Sequence, residues 1–360
     1  MTTRPADAIK LRESVAFSLL DAVGCVAFRE GVERHGSAAV AFHTVGTSSS
    51  RNQALRDADE IIARCAERHV SILVLGEERY PEPLLDLSQA PSLLFALGDP
   101  RFTERRRVGI VGTRHSSPVG DRIAQQMAAA VVRTGAVVVS GMAFGIDAAA
   151  HRGAMDAGGG TIAVLGGGVD VPYPPTHAAL HRRISTDGLI VAESPVGSRP
   201  TKGAFPKRNR IIAALSETLI VIEAGERSGA LITARLALEL GRNVAAVPGP
   251  IDSPRHVGSN RLLSEGASFI AQIEDVISIA GLETRKATTA ETQARQTEPA
   301  SDPSHAAILN AVRAGASDVE DLARSTRLKP RDFAMALSTL ELTGDVLVTA
   351  AGEVTLANRA

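Results

Sequence analysis

The chain has 360 residues, 44% of them hydrophobic and 22% charged, which excludes a globally disordered protein and allows two or three domains. Its formal net charge of −1 excludes a chain that is basic throughout, so any nucleic-acid site must be a local patch. The two cysteines, Cys25 and Cys65, have no metal-ligand spacing and form no disulfide framework. The first residues contain no apolar leader, and no run reaches about 18 apolar residues, which predicts a cytoplasmic protein without a membrane partner.

The first 75 residues are predicted to form a small N-terminal helical module, domain 1–75. Within 13–45, apolar residues recur at the spacing of helices, and glycines divide the stretch into short segments. A helix-hairpin-helix would suit contact with a nucleic-acid backbone. A glycine in a helical turn is weak support for that motif, so simple packing is the favoured interpretation.

Short apolar runs alternate with helical segments from 108 to 270. Each run is almost continuously apolar, as in strands that are buried on both faces. This alternation predicts an α/β fold with a doubly wound parallel sheet, an extended Rossmann-like core over 76–281. The predicted strands are 108–111, 136–139, 161–165, 189–192, 218–222, 243–247 and 267–270.

The C-terminal part of the chain changes character twice. Residues 282–303 are rich in Thr, Gln, Glu, Ala and Ser and almost lack large apolar side chains, which is typical of a flexible linker. Residues 304–360 then show three helical patterns followed by two short strand patterns. This order predicts a winged-helix-like domain.

The loop after the first predicted strand carries the first candidate site. Gly112 ends the strand, and a helix is predicted to begin near Pro118, with Arg114 and Ser116 between them. The N-terminus of a helix offers free N–H groups and a favourable dipole to a phosphate, and an arginine adds a charged fork. An ordinary turn before a capped helix explains the same residues equally well.

The loop after the second predicted strand contains Gly141 and Gly145, which allow another chain or a ligand to approach the backbone closely. Asp147 and His151 follow on one face of a helix, four residues apart, as an acid–base pair would be. No nucleophile pattern accompanies them, so structural hydrogen bonds are the favoured role.

Two later loops have similar chemistry. Three consecutive glycines, 166–168, follow the third predicted strand, with Asp170 and Tyr173 beyond them. Ser228 and Gly229 place a hydroxyl and an amide at another helix N-terminus. Because the carboxyl ends of parallel strands meet at one edge of a sheet, these loops are predicted to converge.

The segment 199–210 combines five basic residues with Phe205 and has no acidic residue. Cations neutralise phosphates and a flat ring stacks on a base, so this composition favours binding of a nucleic-acid strand. The alternative is a solvated surface loop in which Phe205 packs into the core. The candidate residues in this segment are Lys202, Phe205, Arg208, Asn209 and Arg210.

Taken together, these motifs resemble those of the DNA-processing protein A family, also called DprA or Smf. The resemblance extends over about 81–270. The matching motifs are Val111-Gly-Thr-Arg114, Ser140-Gly-Met-Ala-Phe-Gly-Ile-Asp147, Thr161-Ile-Ala-Val-Leu-Gly166, Tyr173-Pro174, Phe205-Pro-Lys-Arg-Asn-Arg210, Ser228-Gly-Ala-Leu-Ile-Thr-Ala-Arg235 and Val247-Pro-Gly249.

The resemblance implies a non-enzymatic protein, with no cofactor or metal, that binds and protects single-stranded DNA. It also implies that the protein helps to load the RecA recombinase during natural transformation and DNA uptake, and that it forms homodimers through its core. By their places in the motifs, Arg114, Lys202 and Phe205 correspond to DNA-contacting positions. Residues 208–210 correspond to the basic cluster beside them.

Two alternatives stay open. A Rossmann-like nucleoside-monophosphate phosphoribohydrolase would use Glu223 as its catalytic carboxylate, but its Pro-Gly-Gly-x-Gly-Thr signature is absent from the sequence. A nucleotide-sensing module would bind a small ligand in the same place. Such a site would need fewer charges and a more closed pocket than 202–210 suggests.

Overall fold

The computed structural model describes residues 5–201, 203–283, 303–313, 316, 318–326, 328–342, 345–348 and 354–356. The chain divides into two compact units, Met1–Arg285 and Lys286–Ala360. No helix among the described residues is long and apolar enough to cross a membrane. Most of the predicted linker 282–303 lies outside the described residues.

A nine-stranded sheet forms the centre of the larger unit. Its strands are β1 (Ser71–Val74), β2 (Leu93–Gly98), β3 (Arg107–Gly112), β4 (Val137–Ser140), β5 (Thr161–Leu165), β6 (Leu189–Ala192), β7 (Thr218–Ile222), β8 (Asn243–Ala246) and β9 (Ser268–Phe269). They lie in the order β1-β2-β6-β5-β4-β3-β7-β8-β9. Strands β3 to β9 are parallel, and β2 is antiparallel to both of its neighbours.

Helices cover both faces of this sheet. They are α1 (Pro5–Ser18), α2 (Cys25–His35), α3 (Ala38–Phe42), α4 (Ser48–Glu67), α5 (Pro118–Arg133), α6 (Ile146–Asp156), α7 (Ala178–Asp187), α8 (Ala204–Leu215), α9 (Gly229–Glu239), α10 (Val257–Ser264) and α11 (Asp275–Ile279). The buried residues of α5, α6 and α11 belong to one hydrophobic cluster, and those of α7 to α10 belong to another. Two cores on opposite faces are the arrangement of a doubly wound fold, as the sequence predicts.

All seven predicted strands are present, and two further strands are found. Strand β1 lies inside the segment 1–75 that was assigned to a helical module, where it pairs with β2. The side chains of α1 to α4 share one hydrophobic cluster with β1, β2 and the parallel strands. The division between the module 1–75 and the core 76–281 stays a prediction.

The smaller unit contains α12 (Pro303–Arg313), α13 (Val319–Thr326) and α14 (Pro330–Leu342), followed by β10 (Val346–Val348) and β11 (Val354–Leu356). The two strands form an antiparallel hairpin. The smaller unit has its own cluster of buried side chains, which includes Ile308, Leu322, Phe333 and Leu340. Three helices and a two-stranded wing agree with the predicted winged-helix-like domain.

Candidate nucleic-acid interface

The strand order reverses between β3 and β7, and this reversal creates a crevice. The chain leaves β3 for α5 on one face of the sheet and leaves β7 for α9 on the other. Open α/β sheets bind ligands at such a switch point, outside the carboxyl ends of the strands. A cavity of about 460 Å³ lies there, lined by the loops after β3 and β7 together with parts of α6, α8 and α9.

The loop after β3 is held in place by Glu223, a buried residue directly after β7. The backbone N–H of Ser117 donates to Glu223 Oε2 at 2.8 Å, and the Ser117 hydroxyl donates to Oε1. Ser117 also caps α5, because its side chain accepts from the N–H of Gly120. A Cβ at Gly120 would lie 2.6 Å from the Glu223 carboxyl carbon, so only glycine leaves room for this carboxylate.

The backbone N–H groups of the loop after β4 donate hydrogen bonds to side chains of α6. The N–H groups of Gly141 and Ala143 donate to Asp147 Oδ2 at 3.2 and 3.4 Å. The N–H of Met142 donates to His151 Nε2, and His151 is completely buried. Burial lowers the pKa of His151 to about 3, so this imidazole stays neutral. Asp147 and His151 therefore fix the loop through its backbone.

The two glycines of that loop allow close packing. A Cβ at Gly141 would lie 1.2 Å from Nη1 of Arg208, so the absence of a side chain makes space for the guanidinium. Gly145 has φ +71°, and a Cβ there would lie 2.4 Å from the carbonyl oxygen of Thr113. Both glycines thus allow other parts of this chain to approach the loop backbone closely, and their role as DNA-binding residues stays a prediction.

Arg208 is the buried cation of the site, with only 6% of its surface exposed. Its Nη1 lies 3.9 Å from Asp147 Oδ2, and neither Nε nor Nη1 has a hydrogen-bond partner among the residues that the structure describes. Burial lowers the pKa of Arg208 and raises the pKa of Asp147, while each charge opposes the shift of the other. An arginine buried with unused donors is costly unless something satisfies them.

A second, smaller cavity of about 60 Å³ lies on the other side of Arg208 and is bordered by aromatic rings. The Arg114 Cζ lies 5.2 Å from the ring centroid of Phe205. The Tyr173 and Phe205 centroids are 5.5 Å apart. Phe144 and Tyr173 are 47% and 43% exposed, which is unusual for aromatic side chains. Together with Arg114 and Phe205 they form a surface that we call the aromatic cluster.

Half of the predicted site residues line the larger cavity: Gly112, Arg114, Arg208, Asn209, Ser228 and Gly229. Arg114 and Arg208 line the smaller cavity as well, beside Phe205 and Gly141. Ser228 caps α9 by accepting from the N–H of Ala230 at 3.3 Å. The loops therefore converge as predicted.

Other predicted residues lie elsewhere. Arg210 points away from both cavities, and its Nη2 donates to both oxygens of Glu193 at 2.7 and 2.8 Å. The Ser116 hydroxyl donates to Asp121. Lys202 lies outside the described residues. Of the glycines 166–168, Gly166 lines the smaller cavity, whereas Gly167 and Gly168 pack closely against the segment 195–200, and the N–H of Gly168 donates to the carbonyl oxygen of Ser198.

Sequence reasoning missed two members of the aromatic cluster. Phe144 was treated as part of a glycine loop, and Tyr173 was noted only as a polar group. Their positions after β4 and β5, in a chain with 3% aromatic residues, were the available signal. In the part of the chain that the structure describes, no group of His, Cys, Asp or Glu side chains could hold a metal ion.

Comparisons with known proteins agree with this architecture. Residues 71–281 match the model of the family described as DNA recombination-mediator protein A, and residues 292–352 match the DprA winged helix domain. The structure superposes on DNA processing protein A from Streptococcus pneumoniae with a TM-score of 0.63 at 31% identity. That match covers 79% of this chain and 99% of the other.

A second solved structure concerns the single-stranded DNA binding mode of DNA processing protein A from Helicobacter pylori. It matches with a TM-score of 0.54 at 31% identity and covers 58% of this chain and 94% of that one. A DNA processing protein DprA from Mycobacterium tuberculosis is 45% identical over 194 residues, which are 53% of this chain and 50% of the relative. The chain thus spans about half the length of that curated relative.

Proposed function

Because this chain belongs to the DNA recombination-mediator protein A family, we propose that its larger unit binds single-stranded DNA without hydrolysing it. The relative from Helicobacter pylori binds single-stranded DNA, as the description of its structure states. The observation that carries the proposal for this chain is the aromatic cluster, which combines three rings with the guanidinium of Arg114. It combines what an unpaired strand needs, because bases stack on rings and phosphates pair with cations.

The aromatic cluster suits unpaired bases better than a duplex. Phe144 and Tyr173 expose their rings at the carboxyl edge of the sheet, and Phe205 lies half-buried beside them. In a duplex the base faces are stacked on one another and cannot reach these rings. Arg114 is exposed and, among the described residues, has no carboxylate partner, so its charge is available to a phosphate.

The position of Glu223 supports the proposal that the protein is not an enzyme. The phosphoribohydrolase alternative requires this carboxylate to face a substrate. Here both of its oxygens accept hydrogen bonds from Ser117, and it is 3% exposed. We expect no release of ribose 5-phosphate from nucleoside monophosphates. Release that disappears in Glu223→Gln would overturn this part of the proposal.

Strand binding is tested by fluorescence anisotropy with a labelled dT strand and the matching duplex at several salt concentrations. We expect the single strand to bind more tightly than the duplex. Arg114→Ala should weaken binding and reduce the salt slope by about 0.7 for one lost phosphate contact. Arg133→Ala is the matched control, because Arg133 is exposed at the far end of α5, at the opposite edge of the sheet. Equal slopes for the two variants would refute the role of Arg114.

The partners of the protein form the second part of the proposal. It acts in the cytoplasm during natural transformation and DNA uptake, helps to load RecA on the strand that it protects, and works as a homodimer. Apolar side chains exposed at the β9 side of the sheet support self-association: Ile232, Leu238 and Phe269 are 44%, 51% and 59% exposed. Light scattering after size exclusion tests the dimer, and the rate of RecA ATP hydrolysis on a pre-coated strand tests loading.

A further inference from the structure

The larger cavity contains unused hydrogen-bond donors on a buried cation. Arg208 lines this cavity, is nine-tenths buried, and finds no hydrogen-bond partner for Nε or Nη1 in the described part of the chain. Its neighbour Asp147 stays 3.9 Å from Nη1 and already accepts from two backbone N–H groups. The nearby carboxylate therefore leaves the guanidinium donors unsatisfied, and a buried donor without a partner costs about 1–3 kcal/mol.

The N-terminus of α9 faces the same cavity. This helix has 11 residues, and Ser228 at its cap and Gly229 at its first position both line the cavity. A Cβ added to Gly229 would meet no atom within 4 Å, so the first turn borders open space. The N–H groups of Ala230 and Leu231 donate to Ser228, so the helix dipole is what the first turn offers to an anion. A buried arginine and a helix N-terminus thus border one cavity.

We propose that this cavity binds a phosphate monoester group, held by Arg208 and the first turn of α9. The ligand is either a free mononucleotide or the terminal phosphate of a DNA strand, which present the same chemistry. Only the second source rests on the proposed strand-binding function. The site adjoins the aromatic cluster, because Arg114 and Arg208 line both cavities, but Ser228 and Gly229 line only the larger one.

The shape of the cavity favours a terminal phosphate over an internal one. Its volume of about 460 Å³ falls in the range of small-molecule sites. The donors of Arg208 are buried, so a ligand must enter to reach them. A terminal group can enter end-on, whereas an internal phosphodiester would need the chain to pass into and out of the cavity. A monoester also carries more negative charge than a diester, and a buried cation favours it.

The variant Gly229→Asp tests the site without removing a buried residue. It places a carboxylate at the cavity wall, where it repels a phosphate. An acidic residue in the first turn of a helix is compatible with folding, because it complements the helix dipole. Gly24→Asp is the matched control, since Gly24 also has an open Cβ position, at the N-terminus of α2.

The full-length chain is titrated in two arms. One arm compares dTMP with thymidine by calorimetry. The other compares dT strands that carry a 5′-phosphate, a 3′-phosphate or hydroxyl ends. We expect the phosphorylated probe of at least one arm to bind about tenfold more tightly than its hydroxyl counterpart, as expected for one or two charge-assisted hydrogen bonds. The preference should disappear in Gly229→Asp and persist in Gly24→Asp, which lies outside both cavities.

The two arms distinguish the possible results. A preference in the strand arm identifies a strand end as the ligand, and a preference for dTMP alone identifies a free mononucleotide. Equal binding of phosphorylated and hydroxyl probes in both arms, or a preference that survives Gly229→Asp, overturns the proposal. Failure of the hydroxyl-ended strand to bind counts against the proposed strand-binding function. The comparison of dTMP with thymidine then still tests whether the larger cavity binds a phosphate group.

Discussion

Replacing Phe205 by alanine is the sharpest perturbation of the aromatic cluster. Its ring is half-buried, lies 5.5 Å from the Tyr173 centroid, and has the Arg114 guanidinium 5.2 Å from its own centroid. Loss of one stacked base costs about 1–3 kcal/mol on alanine substitution. Because 1.4 kcal/mol corresponds to a factor of ten, we expect Kd for a dT strand to rise about 5- to 140-fold.

The assay is an anisotropy titration at fixed salt, with Phe205→Tyr as the matched control. Tyrosine keeps the ring face, so its Kd should stay within about threefold of the original, given that stacking tolerates such changes. A thermal melt of each variant separates lost binding from lost folding. An unchanged Kd for a well-folded Phe205→Ala protein would falsify the stacking model, and an equal loss in Phe205→Tyr, which keeps the ring, would show that stacking on the ring does not account for the loss.

Three further predictions concern the support of the site. Glu223→Ala removes the acceptor of both Ser117 hydrogen bonds, so the free energy of unfolding measured in urea should fall by about 1–3 kcal/mol; an unchanged value would show that the loop after β3 needs no such anchor. His151 has a pKa of about 3 in the folded chain and about 6.5 when unfolded, so the unfolded chain binds the extra proton between these values. The contribution of His151 to the free energy of unfolding should therefore be fully present above about pH 6.5. Below that pH the free energy of unfolding should fall by up to about 1.4 kcal/mol per pH unit, and His151→Gln should reduce this slope. Removal of 304–360 should leave a cooperative melt for the larger unit, because Met1–Arg285 is a compact unit by itself; a non-cooperative melt would contradict this.

The parallel strands were predictable because their signal is local. β5 and β7 are completely buried runs of apolar residues, and each is followed by a helix with its own cap or apolar face. β1 and β2 were missed for a different reason. Both are equally apolar, but no crossover helix separates them, so the strand–helix alternation that identified the core does not extend to them.

The candidate site was only partly predictable, because the sequence does not fix the direction of each side chain. Arg208 and Arg210 are two positions apart on α8, which places them on different sides of the helix. Arg208 enters the space that Gly141 leaves, and Arg210 pairs with Glu193. A basic run therefore identified the right segment, but the roles of its members depend on Gly141 and Glu193, which are distant in sequence.

Arg208 links the two cavities, and this position has a consequence for both ligands. The same guanidinium lines the smaller cavity together with Arg114 and Phe205, and it lines the larger cavity together with Gly229. The guanidinium fits because Gly141 has no Cβ, which would overlap Nη1. The Asp147 carboxylate lies near it and carries the opposite charge. The guanidinium has five N–H donors, and a ligand in the larger cavity that accepts from some of them leaves fewer donors and less net charge for a ligand in the smaller cavity. Occupancy of one cavity should therefore change affinity in the other, and by linkage the effect must be reciprocal.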